Sequence, residues 1–143
     1  MKIAIASDHG GFDLKEKVKA HLEEKGFEVK DFGCYEKKSC DYPDFGKPAA
    51  EAVANGECDF GVLICTTGIG MSMVGNKVKG VRAALCADSL SASLTRLHNN
   101  ANVLVLGAAI VGEMLALNIV DTFFGTDFSG EERHQRRIDK IEG

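Results

Sequence analysis

A cysteine followed by a glycine-containing turn is the feature of this sequence best suited to chemistry. The apolar run Gly61–Cys65 predicts a buried strand, and Thr66-Thr67-Gly68-Ile69-Gly70-Met71-Ser72 follows it directly. Glycines at such a turn allow backbone N–H groups to converge, and a following helix adds the positive end of its dipole, so a developing oxyanion is stabilised there. The same setting favours the reactive thiolate form of a cysteine, which makes Cys65 a candidate reactive group.

Three better-known motifs do not fit this turn. A nucleotide P-loop would need a lysine after Gly75, where the sequence has Asn76. A dinucleotide fingerprint beginning at Gly68 would need a glycine in place of Met73. A cysteine-dependent phosphatase, with the pattern C-x5-R, would need an arginine in place of Met71. The turn therefore offers backbone donors and a thiol without a guanidinium, which favours stabilisation of an enolate-like oxygen.

Further polar residues lie near the ends of other predicted strands. Asp8 and His9 follow the first strand, Asp88 follows the fourth, and His98-Asn99-Asn100 end the helix before the fifth. In an open parallel sheet, ligands bind at the carboxyl ends of the strands, where the strand order reverses. We therefore expect these residues and Cys65 to meet in one crevice at that edge.

Strands and helices alternate along the sequence. Leu14, Val18 and Leu22 recur at the spacing of one helix face, and Gly26 ends that helix. Apolar strands separated by helices of about ten to fifteen residues predict an α/β fold, a three-layer αβα arrangement around a five-stranded parallel, Rossmann-like sheet. The predicted strands are Lys2–Ser7, Phe27–Phe32, Asp59–Cys65, Val81–Cys86 and Asn102–Leu106. The later predicted helices are one that follows Pro43 and ends near Gly56, Ser72–Val78, Ser89–Leu97 and one from about Val111 to Phe124, with helical spacing also at 131–140.

Length and composition are typical of one globular domain. The 143 residues are 45% hydrophobic and 27% charged, which predicts a single domain over residues 1–143. The net charge of −4 argues against nucleic-acid binding, and no apolar stretch is long enough to span a membrane. The apolar N-terminal segment is too short for a secretion signal. The five cysteines lack C-x2-C pairs, so neither disulfides nor a zinc site are indicated, and a reducing cytoplasm fits best.

The chain resembles the ribose-5-phosphate isomerases of type B, within the sugar-phosphate isomerase family that also contains the two galactose-6-phosphate isomerase subunits. The resemblance covers nearly the whole sequence. The segments that carry it are Ser7-Asp8-His9-Gly10-Gly11, Asp41-Tyr42-Pro43, Gly56-Glu57-Cys58-Asp59, Ile64-Cys65-Thr66-Thr67-Gly68-Ile69-Gly70, Asn76-Lys77, Gly80-Val81-Arg82, Arg96 with His98-Asn99, and Arg133-His134-Gln135 with Arg137. Each segment alone is weakly specific, and together they are highly specific.

The resemblance implies an aldose–ketose isomerase that interconverts ribose 5-phosphate and ribulose 5-phosphate in pentose phosphate metabolism. Such an enzyme moves a proton between C2 and C1 through a cis-enediolate, with no metal and no organic cofactor. By resemblance, Cys65 is the base, Thr67 supplies a hydroxyl beside the reacting carbons, and His98 opens the furanose ring. These roles agree with the chemistry, because the proton transfer needs a base against a carbon acid and donors aimed at the oxygen that gains charge.

The resemblance also assigns residues to substrate binding. One group supplies the anion hole, a second contacts sugar hydroxyls, and a third holds the phosphate end. The residues are Thr66, Thr67, Gly68, Ile69 and Gly70 for the anion hole, Asp8 and Tyr42 for the hydroxyls, and His9, Asn99, Arg133 and Arg137 for the phosphate.

Each assignment has a plainer structural interpretation. Cysteine is often a small buried hydrophobe, which is the alternative for Cys65. His98 near a helix end interacts favourably with the helix dipole. Arg133 and Arg137 are spaced as in a solvated helix stabilised by ion pairs. Structural or core roles are predicted for Cys34, Cys40, Cys58, Cys86, Met71, Met73 and Met114.

Two positions depart from the family pattern. Family members commonly have glycine in place of Thr66, and many carry an arginine in place of Ala109. The absence of an arginine lowers the affinity for a phosphate group, since charge-assisted hydrogen bonds contribute about 1.5–3 kcal/mol each. Two alternatives therefore stay open: an isomerase of a six-carbon aldose phosphate, of the allose or galactose 6-phosphate type, and a non-catalytic module that binds sugar phosphates or nucleotides. A flavodoxin-like electron carrier is disfavoured, because the chain has no Trp and only two Tyr.

The resemblance further implies a homodimer, with a tetramer as the alternative, whose active site lies at the subunit interface. A C-terminal arm at about 126–143 is expected to reach the partner subunit. In the galactose-6-phosphate isomerase pair one subunit lacks the cysteine and the other the histidine, whereas this chain keeps Cys65 and His98, which favours a self-sufficient homo-oligomer. The apolar run Ile110–Phe124 exceeds what one helix face needs, so part of it is expected to form the interface.

Overall fold

Five strands and six helices alternate along the chain in the computed structural model, which describes residues 1–143. The strands are β1 (Lys2–Ser7), β2 (Glu28–Asp31), β3 (Phe60–Cys65), β4 (Ala83–Leu85) and β5 (Val103–Gly107). The helices are α1 (Phe12–Glu24), α2 (Tyr42–Ala54), α3 (Ile69–Asn76), α4 (Ser89–Asn99), α5 (Glu113–Phe124) and α6 (Glu132–Glu142).

The strands form one parallel sheet in the order β2-β1-β3-β5-β4. Ser7 of β1 pairs in register with Ile64 of β3, and Cys65 pairs with Gly107 of β5. The carboxyl ends of the three central strands therefore meet at one edge. Helices cover both faces of the sheet, which confirms the predicted three-layer α/β fold.

Strand side chains alternate between two cores. Ile64 and Leu106 contribute to the core that contains residues of α1, α4 and α5. Leu63, Cys65 and Val105 contribute to the core that contains residues of α2 and α3. Because successive strand residues point to opposite faces, the last residue of β3 directs its sulfur toward the side of the sheet that α2 and α3 cover.

Local sequence explains the two helix starts at the carboxyl edge. Pro43 lies in the first turn of α2, where its fixed φ suits a helix and its missing N–H costs nothing, so the helix begins at Tyr42. Gly68 precedes α3 with a φ of 80°, a left-handed conformation that favours glycine. The helix therefore begins at Ile69, and the predicted start at Ser72 is wrong by about one turn.

Most other predicted boundaries differ from the structure by one to three residues. β4 is limited to Ala83–Leu85, because it is an edge strand that pairs only with β5. α4 continues past Leu97 to Asn99 and ends where Asn100 adopts a φ of 45°. The helical spacing at 131–140 corresponds to a real helix, α6, which buries His134 and Ile138.

The apolar run at 110–124 is divided between the core and the surface. The residues of α5 that are fully buried are Ala116, Ile119, Val120 and Phe123. Ile110 is 60% exposed and Met114 is 87% exposed, so the prediction of a core role for Met114 is wrong. None of the six helices combines the length and the apolar character that crossing a bilayer requires.

Candidate active site

Eight residues at the carboxyl edge of the sheet line one open cavity of about 450 Å³, here named the carboxyl-edge cavity. They are Asp8, Tyr42, Cys65, Thr66, Thr67, Ile69, Gly70 and Met73. All except Met73 were predicted as site residues. Met73 was predicted to fill the core but is 63% exposed, because it lies two positions after the fully buried Met71 and so on the opposite side of α3.

Cys65 lines this cavity although it is only 5% exposed. Its Sγ accepts a hydrogen bond from the Gly68 N–H at 3.2 Å. Gly68 is the residue that caps α3, so the sulfur lies at the positive end of that helix. A negatively charged sulfur is stabilised by both features.

The turn from β3 to α3 keeps backbone donors free for a ligand. The Ile69 N–H donates to Thr67 Oγ1 at 3.2 Å, so the Thr67 hydroxyl retains its own proton for another acceptor. The N–H groups of Thr66, Thr67 and Gly70 donate to no acceptor within the chain. These groups lie next to Cys65, and N–H groups in such an arrangement are suited to binding an anionic oxygen.

Asp8, His9 and Tyr42 lie around this turn. Asp8 is 7% exposed, and its Oδ1 accepts a backbone N–H of the following turn at 2.9 Å, which leaves Oδ2 for a ligand. His9 is exposed and accepts the Cys40 N–H on Nδ1 at 3.3 Å, so its neutral ring carries the proton on Nε2. Tyr42 packs on Gly70, where a Cβ would lie 2.6 Å from the tyrosine ring.

The loop after β5 packs directly against the turn that follows Cys65. The N–H groups of Ala108 and Ala109 donate to the carbonyls of Cys65 and Thr66, each at 2.8 Å. Gly107 has no space for a side chain, because a Cβ there would lie 2.4 Å from the Thr67 carbonyl oxygen. The shape of the turn thus depends on a glycine in the neighbouring strand.

Gly107→Ala is expected to lower the free energy of unfolding by about 1–3 kcal/mol, because the added methyl group collides with backbone that cannot move alone. Urea denaturation of the purified variant measures this change. Gly112→Ala is the matched control, since no atom lies within 4 Å of a Cβ at Gly112. Equal free energies of unfolding for the two variants would show that the turn after Cys65 can move to accept the methyl group without loss of stability.

The remaining predicted residues line a second cavity of about 400 Å³, here named the amino-edge cavity. It is lined by His98, Asn99, Arg133, His134, Arg137, Ile138 and Ile141. The first two belong to the last turn of α4, and the others belong to α6. Two arginines, two histidines and an amide in one concave surface are suited to binding an anion.

His134 is a member of this cavity to which the sequence analysis assigned no role. Its ring lies 4.5 Å from the His98 ring, measured between centroids, and its Nδ1 is 2.9 Å from Ser129 Oγ. Burial, followed by the proximity of His98, lowers the pKa of His134 from its ordinary value. Its spacing between Arg133 and Arg137 was visible in the sequence, but its burial was not.

The three arginines of α6 divide between two faces. Arg136 pairs with Glu132 at 2.9 Å, as expected for a solvated helix. Arg133 and Arg137 are exposed as well, but both line the amino-edge cavity beside His98 and Asn99. Arg133 also pairs with the exposed Glu131, at 3.2 Å, so the interpretation of a solvated tail helix describes Arg136 and in part Arg133.

Within one chain, the two cavities share no residue. Cys65 ends β3, whereas His98 precedes β5, and parallel strands place these positions at opposite edges of the sheet. The five residues of β5 span about 16 Å at the usual rise per residue. The expectation that His98 and Asn99 join Cys65 in one crevice of the same chain is thus wrong. Their position before a strand, rather than after one, was the signal that could have shown it.

The structure contains no group of three or more His, Cys, Asp or Glu side chains arranged to hold a metal ion. All five cysteines are free. The donors of both cavities are instead backbone N–H groups, imidazoles, hydroxyls and guanidinium groups, which bind the oxygens of an organic anion.

Comparison with known proteins gives a consistent result. The model of the family described as ribose/galactose isomerase matches residues 3–141. The chain is 47% identical over 140 residues to ribose-5-phosphate isomerase B of Escherichia coli, covering 98% of this chain and 93% of that protein. It matches the solved structure of Clostridium thermocellum ribose-5-phosphate isomerase B with a TM-score of 0.97 and 52% identity, covering 99% and 95% of the two chains. It matches the solved structure of a Thermotoga maritima ribose 5-phosphate isomerase with a TM-score of 0.95 and 54% identity, covering 99% of this chain and 97% of that one. This chain therefore belongs to the ribose/galactose isomerase family and is an isomerase.

Proposed function

We propose that this isomerase interconverts ribose 5-phosphate and ribulose 5-phosphate through a cis-enediolate, with Cys65 as the base. The observation that carries the proposal is the hydrogen bond of 3.2 Å from the Gly68 N–H to Cys65 Sγ, at the start of α3 and beside unpaired backbone donors. The names of the E. coli and C. thermocellum relatives support the choice of substrate.

In the proposed reaction, the Cys65 thiolate removes the proton from C2 of the open-chain aldose and returns it to C1. The proton of the O2 hydroxyl passes to O1, which lies on the same side of the cis-enediolate, so that C2 becomes the carbonyl carbon of the ketose. Negative charge develops on the carbonyl oxygen at C1, where the N–H groups of Thr66, Thr67 and Gly70 stabilise it. The Thr67 hydroxyl donates to an oxygen beside the reacting carbons. Asp8 and Tyr42 bind the sugar hydroxyls further along the chain.

We assign the phosphate end to His9, Asn99, Arg133 and Arg137. His9 presents Nε2–H, because its Nδ1 accepts the Cys40 N–H. The two arginines lie one helical turn apart on α6, a spacing at which both guanidinium groups can contact one phosphate. The five free cysteines support a reducing cytoplasm as the location of the enzyme.

We further propose that the active site forms between two copies of the chain, with the carboxyl-edge cavity of one facing the amino-edge cavity of the other. The separation of the two cavities within one chain supports this arrangement, since neither contains every group that the reaction needs. Large exposed apolar side chains between residues 69 and 114, two of which line the carboxyl-edge cavity, also support it. They include Ile69, Met73, Leu85, Leu90, Leu94, Ile110 and Met114. The C-terminal arm at 126–143 then supplies the phosphate arginines across the interface of a homodimer or of a tetramer built from dimers.

Incubation of the purified protein with a panel of five- and six-carbon aldose phosphates tests the function. We expect ketose formation with the highest kcat/KM for ribose 5-phosphate. A preference for allose or galactose 6-phosphate would instead favour the six-carbon alternative, to which the exposed Ala109 lends support because it adds no charge at the phosphate end. Binding without turnover would favour a non-catalytic relative.

His98→Gln is expected to reduce kcat/KM for ribose 5-phosphate by about 10²-fold or more, because an imidazole is lost as the acid and base for ring opening. The loss should be much smaller for an aldose phosphate that is too short to form a ring, such as erythrose 4-phosphate. Steady-state kinetics on both substrates measure the difference. Equal losses on the two substrates would remove ring opening from the tasks of His98.

A further inference from the structure

Arg82 contacts both helices that line the amino-edge cavity, although it does not line the cavity itself. Its Nε donates to the Asn99 carbonyl at 3.0 Å, and its Nη2 donates to the Asn100 carbonyl at 2.8 Å. Its Nη1 pairs with Glu142 Oε1 at 2.6 Å. One guanidinium group thus joins the end of α4 to the end of α6.

The backbone of Arg82 is itself fixed to the sheet. Its N–H donates to Asn102 Oδ1 at 2.8 Å, and its carbonyl accepts the N–H groups of Asn102 and Val103 at 3.0 and 3.3 Å. The side chain is 19% exposed, so its ion pair is only partly screened by water. The guanidinium group therefore starts from a rigid position at the amino edge.

The contacts with α4 act on the turn that carries His98. The last carbonyls of a helix have no partner within it, and a cation there is favoured by the helix dipole. Arg82 satisfies the carbonyls of Asn99 and Asn100 in the place of solvent. The side chains of His98 and Asn99 thereby project from a turn that is held at its end.

The ion pair with Glu142 lies at the C-terminal end of α6, whereas Arg133 lies in its first turn. Helix ends fray unless they are tied down, and Glu142 is the last residue of α6. The ion pair with Arg82 holds this end against α4. It thereby sets the distance between His98 on one helix and Arg137 on the other.

We propose that Arg82 is a positioning residue that holds α4 and α6 in the geometry required to bind the substrate phosphate. The proposal rests on the assignment of the amino-edge cavity to phosphate binding. Arg82 touches neither the substrate nor the reacting atoms, so its effect is on binding more than on the proton transfer at Cys65.

Arg82→Met and Glu142→Gln test the proposal, with Arg136→Met as the matched control. We expect Arg82→Met to raise KM for ribose 5-phosphate about tenfold with kcat within about threefold, and Glu142→Gln to raise KM about threefold. The double variant should be no worse than Arg82→Met, because both changes break the same connection. Arg136→Met removes an arginine of α6 that pairs only with Glu132, so KM should stay within about twofold.

Inorganic phosphate provides a readout that does not depend on turnover. Its affinity, measured by calorimetry on the same proteins, should fall by the same factors as KM rises. If the wild-type protein binds phosphate but forms no ketose, the isomerase proposal fails while the role of Arg82 is still tested. If the wild type isomerises and neither Arg82→Met nor Glu142→Gln changes KM or phosphate affinity, the role of Arg82 is refuted and the isomerase proposal stands.

A general loss of stability would also contradict the proposal, and two results identify it. One is an Arg136→Met variant that raises KM as much as Arg82→Met. The other is a double variant whose effect is the sum of the two single effects. If Arg82→Met does not fold, Glu142→Gln decides the question alone, since it changes one partly exposed side chain in the last turn of α6. An unchanged KM in that variant refutes the proposal.

Discussion

Alanine in place of Cys65 is expected to reduce the turnover of ribose 5-phosphate by about 10³-fold or more, while the substrate still binds within about threefold of its normal affinity. The reason is that the thiolate transfers the proton from C2 to C1 and contributes little to the binding of the sugar phosphate. Steady-state kinetics give the loss of kcat, and calorimetry with the inactive variant gives the affinity for the substrate directly. Near-normal turnover would exclude Cys65 as the base.

Cys86→Ala is the matched control for this experiment. Cys86 is also a buried cysteine, 2% exposed, and it lies just beyond the carboxyl end of β4. Burial raises the pKa of the Cys86 thiol to about 11, so this group is protonated at neutral pH and cannot serve as a base there. We expect its replacement to change kcat less than twofold, with at most a modest loss of stability from the small cavity it leaves.

Two inactive variants are expected to restore activity when their subunits are mixed. In a heterodimer of Cys65→Ala and His98→Gln chains, one of the two shared sites receives its cysteine and its histidine from intact positions. Random exchange of equal amounts makes half of the dimers mixed, so about one quarter of all sites should be active. The measurement is the specific activity after joint refolding, compared with each variant refolded alone.

A mixture of Cys65→Ala and Thr67→Ala chains is the control for this restoration. Both changes lie in the carboxyl-edge cavity, so every site of the heterodimer keeps one lesion and no activity should return. If no activity returns in the mixture of Cys65→Ala and His98→Gln chains either, the active site is not shared between subunits. A monomeric mass by light scattering at low micromolar concentration would contradict it independently.

The strand ends at the carboxyl edge were predictable, because they depend on short segments of sequence. The apolar run ending at Cys65 predicted a buried strand, and the glycines after it predicted a turn with convergent backbone donors; the strand is confirmed, and the turn has unpaired N–H groups. The start of α3 was placed about one turn late, since the sequence does not show that Gly68 adopts a positive φ. Met73 was assigned to the core because methionine commonly fills cores, whereas α3 places it on the side opposite the buried Met71.

Interactions between distant segments were not predictable in the same way. The sequence contains Arg82 and Glu142, but nothing in either segment indicates that they form an ion pair across the amino edge. The collision that forbids a side chain at Gly107 is likewise a property of two strands that lie side by side. Such contacts depend on the strand order and on helix docking, which local patterns do not specify.

By itself, the sequence determined the fold class, the strand that ends at Cys65 and the donor-rich turn after it, because hydrophobic periodicity and glycine act over a few neighbouring residues. The direction of the chain places His98 at the amino edge, because it precedes a parallel strand, and this position could be read from the sequence. Only the tertiary structure decided that Arg133 and Arg137 lie beside His98 and away from that turn in the same chain. The physical reason is that α6 precedes no strand, so its place depends on docking against α4, a contact between distant segments.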